Sequence, residues 1–245
     1  MDTLFGIVGD GFVLLASDTS QVQSIVLQKT DEDKIMILDE FKLLGTSGET
    51  GDRVQFSELI QKNIHLYQYR NGLPLSTDGA AHYMRGQLAT ALRKGPYSVF
   101  LLLAGWDKET GPSLYYMDYL ATMHKLDKAS MGYGGYFMLS LMDKHWKPNL
   151  TLEEAKKIMY LCIDEVQRRL VVAPPNFVIK IVDKDGAREL ERRDTVVDAT
   201  NVTTATASPE AEFIDAPAAA AAEAGTSQAD AVTKPPTESE TKPPT

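Results

Sequence analysis

Apolar runs arrive in adjacent pairs along this chain of 245 residues, and that pairing restricts its fold more than any other feature. The opening stretch, MDTLFGIVGDGFVLLASD, holds two such runs at residues 4–8 and 12–16, with Gly9-Asp10-Gly11 between them as a turn. A second pair covers residues 34–38 and 42–46, and a third covers 97–106 and 113–119 around the turn DKETGP. The last is NFVIKIVDKDGARELE, a hairpin turning at Asp185-Gly186. Strands joined by short turns pair antiparallel, whereas parallel strands need a crossover of a dozen residues or more. Helical spacing falls between the pairs. After Ser47-Gly48 the apolar residues Phe56, Leu59, Ile60, Ile64 and Tyr67 recur every three or four positions. Ser76 caps a second helix with Ala81, Met84, Leu88 and Leu92 on one face. MGYGGYFMLSLMD reads as a short helix opened by glycines, and Thr151 with Glu154 forms a capping box for a helix reaching about Leu170. The order is therefore four strands, two helices, two strands, two helices, two strands. It predicts an α+β fold: a four-layer α/β/β/α sandwich with two antiparallel sheets between helix layers.

Composition divides the chain near residue 194. Residues 195–245 are rich in Ala, Thr, Pro, Ser and Glu, hold six of the twelve prolines, and repeat KPPT at 234–237 and 242–245. Eight acidic residues against two basic ones put −6 of the chain's net −9 in this segment. Such a sequence buries too little apolar surface to offset its ordering entropy, so a folded domain at 1–194 and a disordered acidic tail at 195–245 are expected. The acidic balance argues against nucleic acid or an anionic membrane as partner. No secretory signal is read at the N-terminus and no run is long enough to span a membrane. The single cysteine, Cys162, fits a reducing compartment and reads as a small core residue. The expected location is the cytoplasm and nucleus, where the triplets at Asn149 and Asn201 would not be glycosylated.

Few residue patterns carry chemistry. His65, His82, His124 and His145 are scattered without ligand spacing, so neither a metal nor a cofactor is expected. GYGG at Gly132 lacks the lysine and hydroxyl of a phosphate cradle. What remains is a first strand beginning at the N-terminus, ASD closing the second strand at Asp18, Lys34 sixteen residues on, and Gly48 at a helix start.

That set resembles the proteasome beta-subunit family of N-terminal nucleophile hydrolases, in order over residues 1–194. The stretches VLLASD, SGETGDRVQFSELIQKN, YRNG, LLLAG, GPSLYYMDYLA and GYG are most similar to the eukaryotic subunit at the fourth position of the beta ring. In active members the first residue is a threonine whose hydroxyl attacks the peptide carbonyl with its own α-amine as base. A lysine beside it and an aspartate holding that lysine match Lys34 and Asp18, and the oxyanion-binding N–H matches Gly48. The same alignment puts Asp2 at the nucleophile position, behind a Met1 expected to be retained. Thr3 lies one strand residue further on, facing the opposite side. Tyr133 replaces the serine of the glycine-rich turn, and RRLVVAPPN stands where active members place an aspartate and a serine. The resemblance therefore implies a catalytically inactive subunit in which Asp18 and Lys34 form a buried structural pair.

The implied role is architectural: one place in a 28-subunit barrel of alpha and beta subunits, beside the third and fifth beta subunits and facing the opposite beta ring. Tyr115, Tyr116, Met117, Tyr119, Tyr133 and Tyr136 are the candidate interface residues. The alternative is an active threonine-type amidohydrolase that exposes Thr3 by processing.

Overall fold

The computed structural model describes residues 2–23 and 26–194. The acidic tail expected over 195–245 lies outside the described residues. The opening hairpin follows its turn chemistry. β1 (Thr3–Val8) pairs antiparallel with β2 (Phe12–Asp18), Val8 opposite Val13, and Gly11 takes the left-handed φ of 79° that the reversal requires. A short ribbon, β3 (Gln21–Gln23) with β4 (Val26–Lys29), follows. Next come β5 (Ile35–Asp39), β6 (Lys42–Gly48), α1 (Thr50–Asn71) and α2 (Thr77–Ala91). β7 (Val99–Asp107), β8 (Gly111–Met117), β9 (Met123–Leu126) and β10 (Lys128–Gly132) precede α3 (Gly135–His145) and α4 (Leu152–Arg169). The hairpin β11 (Asn176–Asp183) and β12 (Gly186–Asp194) closes the described chain.

Among the described residues two five-stranded sheets form, in the orders β10-β1-β2-β11-β12 and β5-β6-β7-β8-β9, with every neighbouring pair antiparallel. Period-two alternation sorts their side chains into layers. Leu4, Val13, Leu15 and Val178 meet Leu43, Leu102 and Leu114 between the sheets. Their strand neighbours Phe5, Leu14 and Ile179 point the other way, against Met138, Met159 and Ile163 of the α3–α4 layer. On the second sheet Leu44, Leu101 and Leu103 pack under Phe56, Ile60 and Met84 of α1 and α2. Both faces of each sheet are thus covered. This is the physical reason the central strands read as continuous apolar runs rather than as alternating ones, and β2 is buried along its whole length. The four-layer sandwich expected from the paired strands is the fold observed.

Local details hold or shift for identifiable reasons. Ser76 caps α2 by accepting the Gly79 N–H at 3.1 Å, and the capping box of α4 joins the Thr151 N–H to Glu154 Oε2 at 3.0 Å. Four strands went unread. β3 is three residues long, β4 and β9 are short and largely exposed, and β10 (KASMG) mixes polar with small residues on a sheet edge, so none carries a strong apolar period. Met131 and Gly132, read as the opening of a helix, end β10 instead, and α3 starts at Gly135. On α1 the covered stripe is Phe56, Ile60 and Ile64, while Leu59 and Tyr67 sit off it and remain exposed.

The layering sets which truncations matter. Leu15→Ala, at the fully buried meeting of the two sheets, is expected to cost about 2–5 kcal/mol in urea denaturation. Tyr69→Ala, at an α1 side chain 85% exposed, should stay within about 0.5 kcal/mol of the parent.

Candidate functional site

Residue 2, residue 18, residue 34 and residue 48 are far apart in sequence, and the two-sheet stack brings them together. Antiparallel pairing of β1 with β2 sets the start of one strand beside the end of the other, so Asp18 lies next to Thr3. Lys34 enters β5 in the facing sheet, and β6, its partner, ends at Gly48 before α1. The Lys34 ammonium then donates to Asp2 Oδ1 at 2.7 Å, Asp18 Oδ2 at 2.8 Å and the Ser20 carbonyl at 2.8 Å. An ammonium has three N–H donors, and all three are engaged. Both Lys34 and Asp18 side chains are inaccessible to solvent, whereas Asp2 is 14% exposed.

The Asp2 carboxylate has a second set of partners. Its Oδ2 accepts the Gly48 N–H at 3.0 Å and the Ser47 hydroxyl at 3.3 Å. Gly48 is required by its backbone, since φ is 128° and a Cβ there would lie 2.2 Å from the Ser98 carbonyl oxygen. The N–H it presents stands just ahead of the first turn of α1, where partial positive charge favours an anion. Asp2 is thus a resident anion on that donor. Burial alone would raise its carboxyl, but the Lys34 ammonium and the Gly48 N–H hold it below the usual aspartate value. Asp18 is pushed upward by its deeper burial, against the pull of Lys34 and the Thr3 N–H. All its partners are nonetheless donors: Thr3 N–H at 2.7 Å, Ser20 N–H at 3.1 Å and Lys34. That pattern suits an ionised carboxylate, which only accepts.

The other candidates separate clearly. Thr3 is buried, its side chain lies against Gly134, and it lines a different cavity from Asp2. Tyr133 is exposed and lines a cavity shared with Asp2, Tyr116 and Tyr136. Tyr119 is exposed on the loop after β8. Tyr115 and Met117 are corrections to the candidate interface. Both point from β8 into the core beneath α2, where the Tyr115 hydroxyl donates to Asp78 Oδ1 at 3.0 Å, so neither presents surface to a partner. Cys162 is buried on the apolar face of α4, and burial pushes its thiol up to about 12.

Three participants were not anticipated: Ser47, the Ser20 carbonyl, and Gly132. A Cβ on Gly132, at φ 77°, would fall 1.7 Å from the Asp2 carbonyl oxygen, so glycine here lets the end of β10 approach the backbone of residue 2. Ser47 could have been found as the neighbour of Gly48. Gly132 and Ser20 act through backbone geometry, which leaves no residue pattern.

Two antiparallel sheets enclosed by helix layers, with Asp2 ahead of the first strand set against a buried lysine–aspartate pair, are consistent with the N-terminal nucleophile hydrolase architecture. The family profile described as "Proteasome subunit" matches residues 2–182, and the chain belongs to that family. It is 61% identical over 199 residues to proteasome subunit beta type-2-B of Arabidopsis thaliana, covering 81% of this chain and 100% of that protein. Proteasome subunit beta type-2 of Dictyostelium discoideum is 47% identical over 193 residues, 78% of this chain and 97% of the relative. Proteasome subunit beta type-4 of Saccharomyces cerevisiae is 38% identical over 193 residues, 78% of this chain and 98% of the relative.

Two outcomes follow from the ion cluster. Lys34→Met leaves the buried Asp18 and the part-buried Asp2 without their cation and is expected to cost about 3–5 kcal/mol in urea denaturation. Asp2→Asn tests linkage. A carboxyl depressed by folding stabilises fully above its unfolded value of about 3.9 and loses that contribution as pH falls through the lower folded value. The stability gap between parent and Asp2→Asn should therefore be widest near neutrality and close on acidification. A gap independent of pH would show that the Asp2 charge is not the stabilising feature.

Proposed function

We propose that this chain is a non-catalytic beta subunit of the 20S proteasome core particle, with a structural role in the ring and chamber wall where other subunits degrade ubiquitin-marked proteins. The observation carrying the reading is the Asp2 carboxylate. It stands where the family's threonine hydroxyl would stand, and it occupies both the Gly48 N–H and the Lys34 ammonium. A carboxylate has no hydroxyl to add to a carbonyl, and an anion already on the oxyanion donor opposes a second one. The names of the relatives, beta type-2 and type-4, support the fourth beta position, between the third and fifth beta subunits and against the opposite ring in a 28-subunit barrel. Cytoplasm and nucleus are the proposed locations. Exposed Tyr119, Tyr133 and Tyr136 are the proposed contact residues.

The alternative, an enzyme exposing Thr3, is disfavoured by a Thr3 side chain buried against Gly134. Treating the native particle with a peptidyl electrophile directed at N-terminal threonine separates the two readings. Mass spectrometry should find adducts on neighbouring subunits and none on this chain, which should copurify with alpha and beta subunits. An adduct on a chain beginning at Thr3 would overturn the proposal.

A further inference from the structure

A cavity of about 670 Å³ opens beside Asp2, between the ends of β6 and β10, the sheet face at Phe100 and Tyr116, and the start of α3. Its chemistry is lopsided. Phe100, Tyr116, Tyr133 and Tyr136 supply aromatic walls, and Met131 and Leu139 add apolar surface. Among the described lining residues Asp2 alone carries a formal charge. Among the described residues two carboxylates, Asp2 and Asp18, share the single Lys34 ammonium. Nearby Arg53 is engaged by Glu32 at 3.3 Å. The carboxylate also keeps bonding capacity. Its Oδ2 accepts from Gly48 and Ser47, whereas Oδ1 accepts from Lys34 alone among the described residues and retains one acceptor position. Aromatic side chains around a partly exposed carboxylate favour a cation over an anion, because the one formal charge on the described lining is negative.

We propose that this cavity binds an organic cation, an ammonium or guanidinium group on an apolar stem, with the charged end at Asp2 Oδ1 and the stem between the aromatic walls. The same chemistry arises in a free amine and in a lysine or arginine side chain of a polypeptide. Asp2 then has two roles: its Oδ2 closes the oxyanion donor, and its Oδ1 is the recognition point of the cavity.

The test is a structural titration of the particle containing this chain, reading ligand density in this one cavity, and it uses the function proposed above only to obtain the sample. Benzylamine, benzyl alcohol and benzoate vary charge at nearly constant shape, and N-acetyl-arginine methylamide represents a polypeptide side chain. Half-occupancy is expected at about tenfold lower concentration for benzylamine than for benzyl alcohol, the scale of one charge-assisted or cation–π contact, with benzoate absent. Binding of the arginine derivative without benzylamine would place the natural ligand in a polypeptide, and binding of benzylamine alone would place it among free amines. Asp2→Asn should abolish the preference for the amine while benzyl alcohol still binds. Should that variant fail to assemble, rising salt must erode the amine's advantage in the parent particle. Equal occupancy by amine and alcohol, an empty cavity with all probes, or an amine preference that survives Asp2→Asn or high salt would overturn the proposal. A particle lacking this chain would instead overturn the functional reading.

Discussion

The Lys34 ammonium is the point on which the rest of the site depends. Buried without solvent, it is tolerable only because three oxygens from three places meet it: Asp2 at the start of β1, Asp18 at the end of β2 and the Ser20 carbonyl beyond it. Those contacts tie the β1–β2 hairpin of one sheet to the entry of β5 in the other. The Asp2 carboxylate extends the link to Gly48 and the start of α1. A single buried cation therefore fixes the relative placement of both sheets and one helix layer at this end of the sandwich. Removing either sign leaves the other buried and unpaired, which makes the cluster a specificity device as much as a source of stability.

On the proposed reading, the same cluster opposes hydrolytic chemistry while keeping the scaffold. A nucleophile needs a hydroxyl, a proton acceptor and an unoccupied oxyanion donor. Here the lysine's donors are saturated, and the oxyanion N–H already bonds a carboxylate supplied by the chain itself. Substituting one acidic residue for the family's threonine exchanges a transient transition-state charge for a permanent one. The surrounding machinery then serves to hold that charge. On the proposed non-catalytic reading, this gives Asp18, Lys34 and Gly48 a structural role in place of a catalytic one.

Much of this was legible in the residues. Paired apolar runs and Gly-centred turns gave the antiparallel hairpins, because those signals are local. Ser76 and the Thr151–Glu154 box marked helix starts, because capping is satisfied within four residues. The edge strands β9 and β10 were missed because an edge needs no apolar alternation to be held by its neighbour. Tyr115 and Met117 were assigned outward because an aromatic run on a strand does not say which face the helices cover. Asp2, Asp18, Lys34 and Gly48 were picked out through a family likeness, since nothing in their spacing alone signals proximity.

The sequence by itself determined the four helices and eight of the strands, that strands would pair antiparallel in a layered α+β fold, and that no hydroxyl stands at residue 2. Those properties follow from side-chain period, turn chemistry and residue identity. Tertiary structure alone decided that Asp2 turns toward Lys34 and takes up the Gly48 N–H, that Gly132 makes room for its backbone, and that an aromatic cavity lies beside it. Those outcomes depend on distances across two sheets between residues far apart in the chain, and sheet packing, unlike a turn or a cap, leaves no short-range record in the sequence.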